Sequence, residues 1–141
     1  MDSLGQYDEN DNIPNRVVKY LLMVKISPSL RGFDYLQTAI ELCLKDGAII
    51  NHVTSELYPE VAKEFNVTGS IVERCMRTAI DNAYKNGGLL GINNFYNKVV
   101  YKNDYKLTNA ELISLIVENV RLDVLKDRIE RSRKDFDDKA E

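Results

Sequence analysis

The sequence has few of the residues that metal and redox chemistry use. Its 141 residues contain one histidine, two cysteines and no tryptophan. A structural zinc site needs four ligands, and these residues could supply one only with the help of a carboxylate, at spacings that match no zinc pattern. Cys43 and Cys75 both fall on apolar helix faces, which favours a role as small core residues.

Long apolar runs and a secretory leader are also lacking. No apolar run approaches the ~20 residues of a membrane span, and the N-terminal stretch MDSLGQYDENDN is acidic and has no apolar core. We therefore expect a soluble cytoplasmic protein with reduced thiols. The sequence contains no P-loop, nucleophile elbow or glycine-rich dinucleotide motif, so it predicts neither an enzyme nor a need for a cofactor or metal.

Net charge is small, at −3, which argues against a generic nucleic-acid coat because such proteins are usually basic. Residues 1–12 carry four acidic groups and no basic one, whereas residues 13–120 carry twelve basic and eleven acidic groups. The acidic surplus therefore lies at the N-terminus. On the nearly neutral body, the positions of the charges matter more than their sum.

The pattern of apolar and polar residues divides the chain into three parts. Residues 1–12 are too polar to offset the entropy of ordering and are predicted to be a flexible acidic arm. Residues 13–122 have the spacing of about six helices and are predicted to be an all-α helix-turn-helix domain. Residues 123–141 are predicted to be a charged helical extension of the last helix, which opens at the capping box Thr108-Asn109-Ala110-Glu111.

Two segments near the middle of the chain predict the helix-turn-helix itself. Residues 53–65 and 69–86 are both helical in pattern, and a turn of about three residues joins them, with Thr68 as the N-cap of the second helix. The apolar residues from Val72 to Tyr84 recur at spacings of three and four, which predicts one buried stripe.

Opposite that stripe lie the candidates for base readout. An arginine can bind O6 and N7 of guanine with both arms of its guanidinium group, and a glutamate can accept from N4 of cytosine. Both residue types stand near the start of the second helix, where such motifs contact bases. The pattern alone leaves a structural helical hairpin with a solvated charged face as an alternative. The readout candidates are Glu73, Arg74 and Arg77.

Two further groups of residues are candidates for contacts with the DNA backbone or for roles at the start of the second helix. The first is Thr68, Ser70 and Ile71. The second is Lys98, Lys102 and Lys106, which alternate with tyrosines in a segment, residues 98–106, that forms either a short β-ribbon, or wing, or an extended loop. Contacts from these lysines to phosphates would weaken steeply with salt. The alternative is a loop that only faces solvent.

The block LYPEVAKEFNVT at residues 57–68, followed by Ser70, Val72-Glu73-Arg74 and Met76-Arg77, resembles a known family. It is similar to the DNA-binding effector domain of the stage-zero sporulation protein A response regulators of spore-forming Firmicutes. The similarity extends over about residues 13–122 and includes the segments Arg31–Leu36 and Leu107–Glu111.

The resemblance implies a six-helix fold with one helix-turn-helix. It implies that the second helix of this motif enters the major groove of a short DNA box containing G and C. It implies that Glu73, Arg74 and Arg77 touch bases and that Ser70 faces phosphate. It also implies head-to-tail dimers on tandem boxes, and a contact with the RNA polymerase sigma subunit through residues 89–96.

This sequence departs from the family pattern in three ways. Ile71 stands where the family has an arginine, so the same operator is not expected. No receiver domain is present, so we expect no phosphorylation control. The C-terminal extension is longer than usual, and its apolar residues form a thin heptad-like seam, typical either of a frayed solvated helix or of a dimerisation or partner helix. The seam residues are Leu122, Leu125, Ile129 and Phe136.

Two functions follow as hypotheses. The first is sequence-specific binding of double-stranded DNA by a stand-alone effector domain, either as a transcription regulator or as a DNA-binding accessory factor of a mobile element. The alternative is a protein-interaction module that binds the sigma subunit or a related regulator with little base readout.

Overall fold

The computed structural model describes residues 6–140, and these form six α-helices and no strand. The all-α prediction is therefore confirmed. Residues 98–106 form a loop in this part of the chain, and not a ribbon. None of the described helices is both long and apolar enough to cross a membrane. The helices are α1 (Ile13–Met23), α2 (Arg31–Lys45), α3 (Tyr58–Phe65), α4 (Gly69–Lys85), α5 (Asn93–Tyr96) and α6 (Asn109–Ala140).

Helix α2 lies at the centre and packs against α1, α4 and α6. Its apolar side chains recur at spacings of three and four, so they share one face, and that face is buried. Burial raises the pKa of the Cys43 thiol to about 12. That thiol therefore stays protonated at neutral pH, in keeping with its predicted role in the core. The buried residues on this face are Leu36, Ala39, Ile40, Cys43 and Leu44.

The chain between α2 and α3 is helical but not one helix. Residues Gly47–His52 form a 3₁₀ turn and Val53–Leu57 form a π-helical turn before α3 begins. Pro59 lies in the first turn of α3, where the N–H that proline lacks has no helical partner to lose. The first helix of the motif is therefore shorter than the predicted span of 53–65.

Helix α6 begins at the predicted capping box. The backbone N–H of Thr108 donates to Oε1 of Glu111 over 2.9 Å, and the N–H of Glu111 donates to Oγ1 of Thr108 over 3.2 Å. The helix then continues without a break to Ala140. The predicted extended C-terminal helix is confirmed, and Val124 is the last residue of it that the core buries.

The described part of the acidic arm contacts this extension. Asp8 caps a short 3₁₀ turn, Glu9–Asp11, and Asp11 is fully buried. Two arginines of α6 donate to its carboxylate: Nη2 of Arg128 lies 2.6 Å and Nη2 of Arg131 lies 3.2 Å from its oxygens. The flexible arm predicted over residues 1–12 did not include this contact. The part of that prediction on residues 1–5 lies outside the described residues.

Candidate nucleic-acid interface

Helices α3 and α4 and the turn between them have the geometry of a helix-turn-helix. Asn66 ends α3 in the left-handed conformation, at φ 55°, which asparagine tolerates better than most residues. The N–H of Val67 donates to the carbonyl oxygen of Ala62 over 3.0 Å and closes the turn. Oγ1 of Thr68 accepts from the N–H of Ile71 over 3.3 Å, which confirms Thr68 as the N-cap of α4.

Five residues of the predicted apolar stripe of α4 are buried and fix the helix on the rest of the domain, whereas Cys75 and Tyr84 of that stripe are half-buried. Helix α2 approaches it so closely that a methyl group at Gly32 would lie 2.3 Å from the carbonyl oxygen of Cys75. Such an approach is open only to a residue without a side chain. The backbone of α4 is thus set on a rigid support. Its buried stripe is Val72, Met76, Ala79, Ile80 and Ala83.

The three readout candidates lie together on the outer side of α4. Arg74 and Arg77 are exposed and Glu73 is half-buried. Within the described residues Arg74 forms no ion pair or side-chain hydrogen bond. Arg77 pairs with Glu73 one helical turn earlier, through Nη1 and Oε1.

This ion pair leaves Arg77 accessible. The side chain of Arg77 keeps 55% of its surface exposed, so the pair lies in water and is screened by it. Exposed pairs at this spacing contribute about 0.3–0.5 kcal/mol. A base edge or phosphate could therefore replace Glu73 as the partner of Arg77 at little cost.

A buried amide joins α4 to the first turn of α6. Nδ2 of Asn109 donates to the carbonyl oxygen of Glu73 over 3.1 Å and to the hydroxyl of Tyr58 over 3.0 Å. Burial raises the pKa of Tyr58, so its hydroxyl stays neutral. Asn109 therefore ties α3, α4 and α6 together directly behind Glu73.

The C-terminal extension does not cover this surface. Asn109, beside Glu73, is the first residue of α6, and Arg131 lies 22 residues further along the same helix. At 1.5 Å per residue that separation is about 33 Å. The arginines of α4 therefore remain open to a duplex.

Ser70 and Ile71, at the start of α4, differ in how much of each side chain is exposed to solvent. Ser70 is exposed and can face a phosphate. Ile71 is half-buried and packs against the core, and its N–H is already bonded to Thr68. The side chain of Ile71 is therefore only partly available to DNA, and its backbone offers no free hydrogen-bond donor.

The three lysines of the 98–106 loop differ in their distance from α4. Nζ of Lys106 lies 3.5 Å from Oδ1 of Asp81, which brings Lys106 to the side of α4. Lys98 and Lys102 are exposed on the loop. Asn93 holds the loop, because its Oδ1 accepts from the N–H groups of Val100 and Tyr101 over 2.8 and 2.9 Å.

Sequence reasoning did not single out Asn109 or Tyr58 as parts of this surface. For Asn109 a signal exists, because it shares one helix face with the buried residues Leu112 and Ile113. A polar residue on an apolar face predicts a buried hydrogen bond. No such pattern marks the pairing of Asp81 with Lys106, because the two residues are 25 residues apart in the sequence.

Comparison with known families agrees with this geometry. Residues 17–120 match the family model described as sporulation initiation factor Spo0A C terminal. The match contains α2 to α5 complete, together with most of α1 and the first part of α6. It therefore includes every readout and backbone candidate and stops before the C-terminal extension.

Proposed function

The chain belongs to the Spo0A C-terminal family of DNA-binding effector domains, which is not an enzyme family, and on that premise we propose that it reads a specific sequence in double-stranded DNA. The role would be that of a transcription regulator or of a DNA-binding accessory factor. The surface that does so is the outer side of α4.

The observation that carries the proposal is the exposure of Arg74. It stands on a helix whose opposite stripe is buried and whose backbone is fixed by Gly32 and Asn109. A guanidinium group on a rigid support loses little freedom on binding, and it can bind O6 and N7 of guanine together. Each such pair contributes about 1–3 kcal/mol of discrimination.

Glu73 and Arg77 would read a neighbouring base pair as a unit. When Arg77 turns to a guanine or a phosphate, Glu73 becomes available to accept from N4 of a cytosine. Until then each side chain neutralises the other, which lowers the attraction of this surface for an arbitrary duplex. The pair thus favours specific over non-specific binding.

Contacts to phosphate would set the position of α4 in the groove. Ser70 at the helix start and the loop lysines Lys98, Lys102 and Lys106 are the candidates, all of them exposed. Such contacts carry no sequence information, but they fix register and add salt dependence. Binding of two copies of the chain to tandem boxes would add further phosphate contacts.

Selection of bound duplexes from a random pool tests the proposal without a guess at the operator. With the full chain we expect enrichment of one short motif containing at least one guanine. Repeating the selection with Arg74→Ala should relax the preference at a single base pair and leave the rest of the motif. A pool that shows no enrichment after repeated rounds would refute sequence-specific readout.

A second candidate function is binding to the RNA polymerase sigma subunit. Leu22 of α1 and Leu90, just before α5, are exposed by 45% and 43%, and they line one groove with Lys19 and Lys25. An apolar centre with a basic rim suits an acidic partner surface. Titration of the purified sigma subunit with wild type and Leu90→Asp tests this candidate, and equal affinity for both would reject it.

A further inference from the structure

A long stretch of α6, residues 125–140, lies beyond the core of the domain, and we call it the outer extension. Val124 is the last residue of α6 that the core buries, and within 125–140 only Arg128 is half-buried while the others are exposed. Most helical stability in proteins comes from the packing of an apolar face. The last turn also carries Asp137 and Asp138, and negative charge is unfavourable at the C-terminal end of a helix. The outer extension therefore needs support from another part of the chain.

The described part of the acidic arm supplies that support at one turn of the helix. Nε and Nη2 of Arg128 lie 3.0 and 2.6 Å from the carboxylate oxygens of Asp11, and Nη2 of Arg131 lies 3.2 Å from one of them. The two arginines are about one helical turn apart, so one buried carboxylate joins both ends of that turn. Nη2 of Arg128 also donates to the carbonyl oxygen of Gln6 over 3.0 Å, and its guanidinium group lies 5.6 Å from the ring centre of Tyr7.

Arg16, near the start of α1, links this contact to the domain. Its Nε donates to the backbone carbonyl oxygen of Asp11, and its Nη2 pairs with Asp127 of the outer extension. Because Asp127 is exposed, this pair by itself is screened by water. The arm, which holds Arg16 through the carbonyl group of Asp11, is therefore the main support of the turn from Asp127 to Arg131.

Both sides of this network lie outside the part of the chain that matches the family model. The match covers residues 17–120, whereas the network joins residues 6–16 to residues 127–131. The buried core of α6 also ends before the network begins, at Val124. The contacts that support the outer extension are thus separate from those that fold the family domain.

We propose that the arm is a strap that keeps the outer extension helical. With the strap attached, the turn from Asp127 to Arg131 is fixed, and the helix continues through it. With the strap detached, residues 125–140 lose their helix, while the family domain stays folded on its own core. The outer extension is thus a segment with an ordered and a disordered state, and the arm selects the ordered one.

Amide hydrogen exchange of the full chain, resolved by peptide mass spectrometry, tests the strap. Arg128→Gln/Arg131→Gln removes both partners of Asp11 on the outer extension, and glutamine favours a helix about as well as arginine does. Residues 125–132 of this variant should exchange at least about tenfold faster than in wild type, because the charge-assisted hydrogen bonds that hold the turn are gone. Far-UV circular dichroism should show the matching loss of helix.

Arg133→Gln/Lys134→Gln is the matched control. It removes the same charge from two exposed residues of the same helix, which form no ion pair in the described part of the chain, and it should exchange like wild type. In both variants α2 and α4 should remain much slower to exchange than the outer extension. Unchanged exchange over 125–132 in Arg128→Gln/Arg131→Gln would overturn the proposal, and so would exchange of α2 and α4 that becomes as fast as that of the outer extension. Since no DNA is present, none of these results bears on the proposed readout.

Discussion

The side-chain amide of Asn109 donates a hydrogen bond to the backbone carbonyl oxygen of Glu73 over 3.1 Å. Asn109 is itself buried, and its amide also donates to the hydroxyl of buried Tyr58. The bond fixes the backbone of α4 and leaves the carboxylate of Glu73 free to change partners. The proposed readout by α4 therefore depends on a residue that lies in another helix and outside the proposed readout surface.

Asn109→Ala should lower the free energy of unfolding by about 1–3 kcal/mol, because it removes a buried donor from two acceptors. Urea unfolding measures the loss. Tyr58→Phe removes only one of the two bonds and should cost about 0.5–1.5 kcal/mol. A cost for Asn109→Ala no larger than that for Tyr58→Phe would show that the bond to Glu73 does not hold α4.

Gly32→Ala should destabilise the domain by about 1–3 kcal/mol or more, because the new methyl group meets the backbone of α4 and no side chain can yield. Gly69→Ala is the matched control. The nearest atom there would be 3.6 Å away, and alanine favours a helix by about 0.5–1 kcal/mol over glycine. Thermal unfolding should lower the Tm of the first variant and leave or raise that of the second.

Glu73→Gln should raise affinity for an arbitrary duplex about 2–5-fold, since it removes a negative charge from the surface and weakens the hold on Arg77. Discrimination between the selected site and a scrambled one should fall. Fluorescence anisotropy with both duplexes separates these effects. An unchanged discrimination ratio would mean that Glu73 reads no base.

The attachment of the acidic arm should depend on pH. The hydrogen bonds from Arg128, then the one from the backbone N–H of Asp8, and last the one from Arg131 lower the pKa of Asp11 from 3.8 to about 2. Because the folded-state pKa is lowered, the contribution of Asp11 to stability is complete above about pH 4 and is lost as pH falls towards 2. Its size is about 1–2 kcal/mol after allowance for the partly exposed arginines.

Asp11→Asn should therefore reduce stability by about this amount at pH 7 and by less at pH 3. Urea unfolding of wild type and variant at the two pH values gives the comparison. Glu9→Gln changes an exposed carboxylate of the same turn and should have little effect at either pH. A cost of Asp11→Asn that is the same at pH 7 and pH 3 would contradict the ion-pair account.

Local patterns predicted the parts of the fold that depend on neighbours in sequence. The stripe from Val72 to Ala83 is buried as its spacing indicates, and the Thr108–Glu111 box forms as its residue types indicate. The contact between Asp11 and Arg128 spans 117 residues, and nothing in either segment marks the other. The division of 47–65 into a 3₁₀ turn, a π-helical turn and α3 depends on tertiary packing that periodicity does not encode.

For the candidate surface too, the sequence predicts the features that depend on positions along α4 but not those that depend on other helices. That Arg74 and Arg77 are exposed follows from their position opposite an apolar stripe, and the pairing of Glu73 with Arg77 follows from a spacing of four residues. The half-burial of Ile71 against the core depends on how α4 tilts on its support. That tilt is set by Gly32 and Asn109, which lie in other helices.

The ratio of affinities for the selected duplex and a scrambled duplex is the decisive measurement for base readout by α4. It should be measured at one fixed salt concentration with wild type, with Arg74→Ala/Arg77→Ala, and with Lys45→Ala, which removes an exposed cation at the far end of α2. The ratio should fall at least about tenfold in the double variant and should be unchanged in Lys45→Ala. A double variant that discriminates as well as wild type would contradict readout by α4.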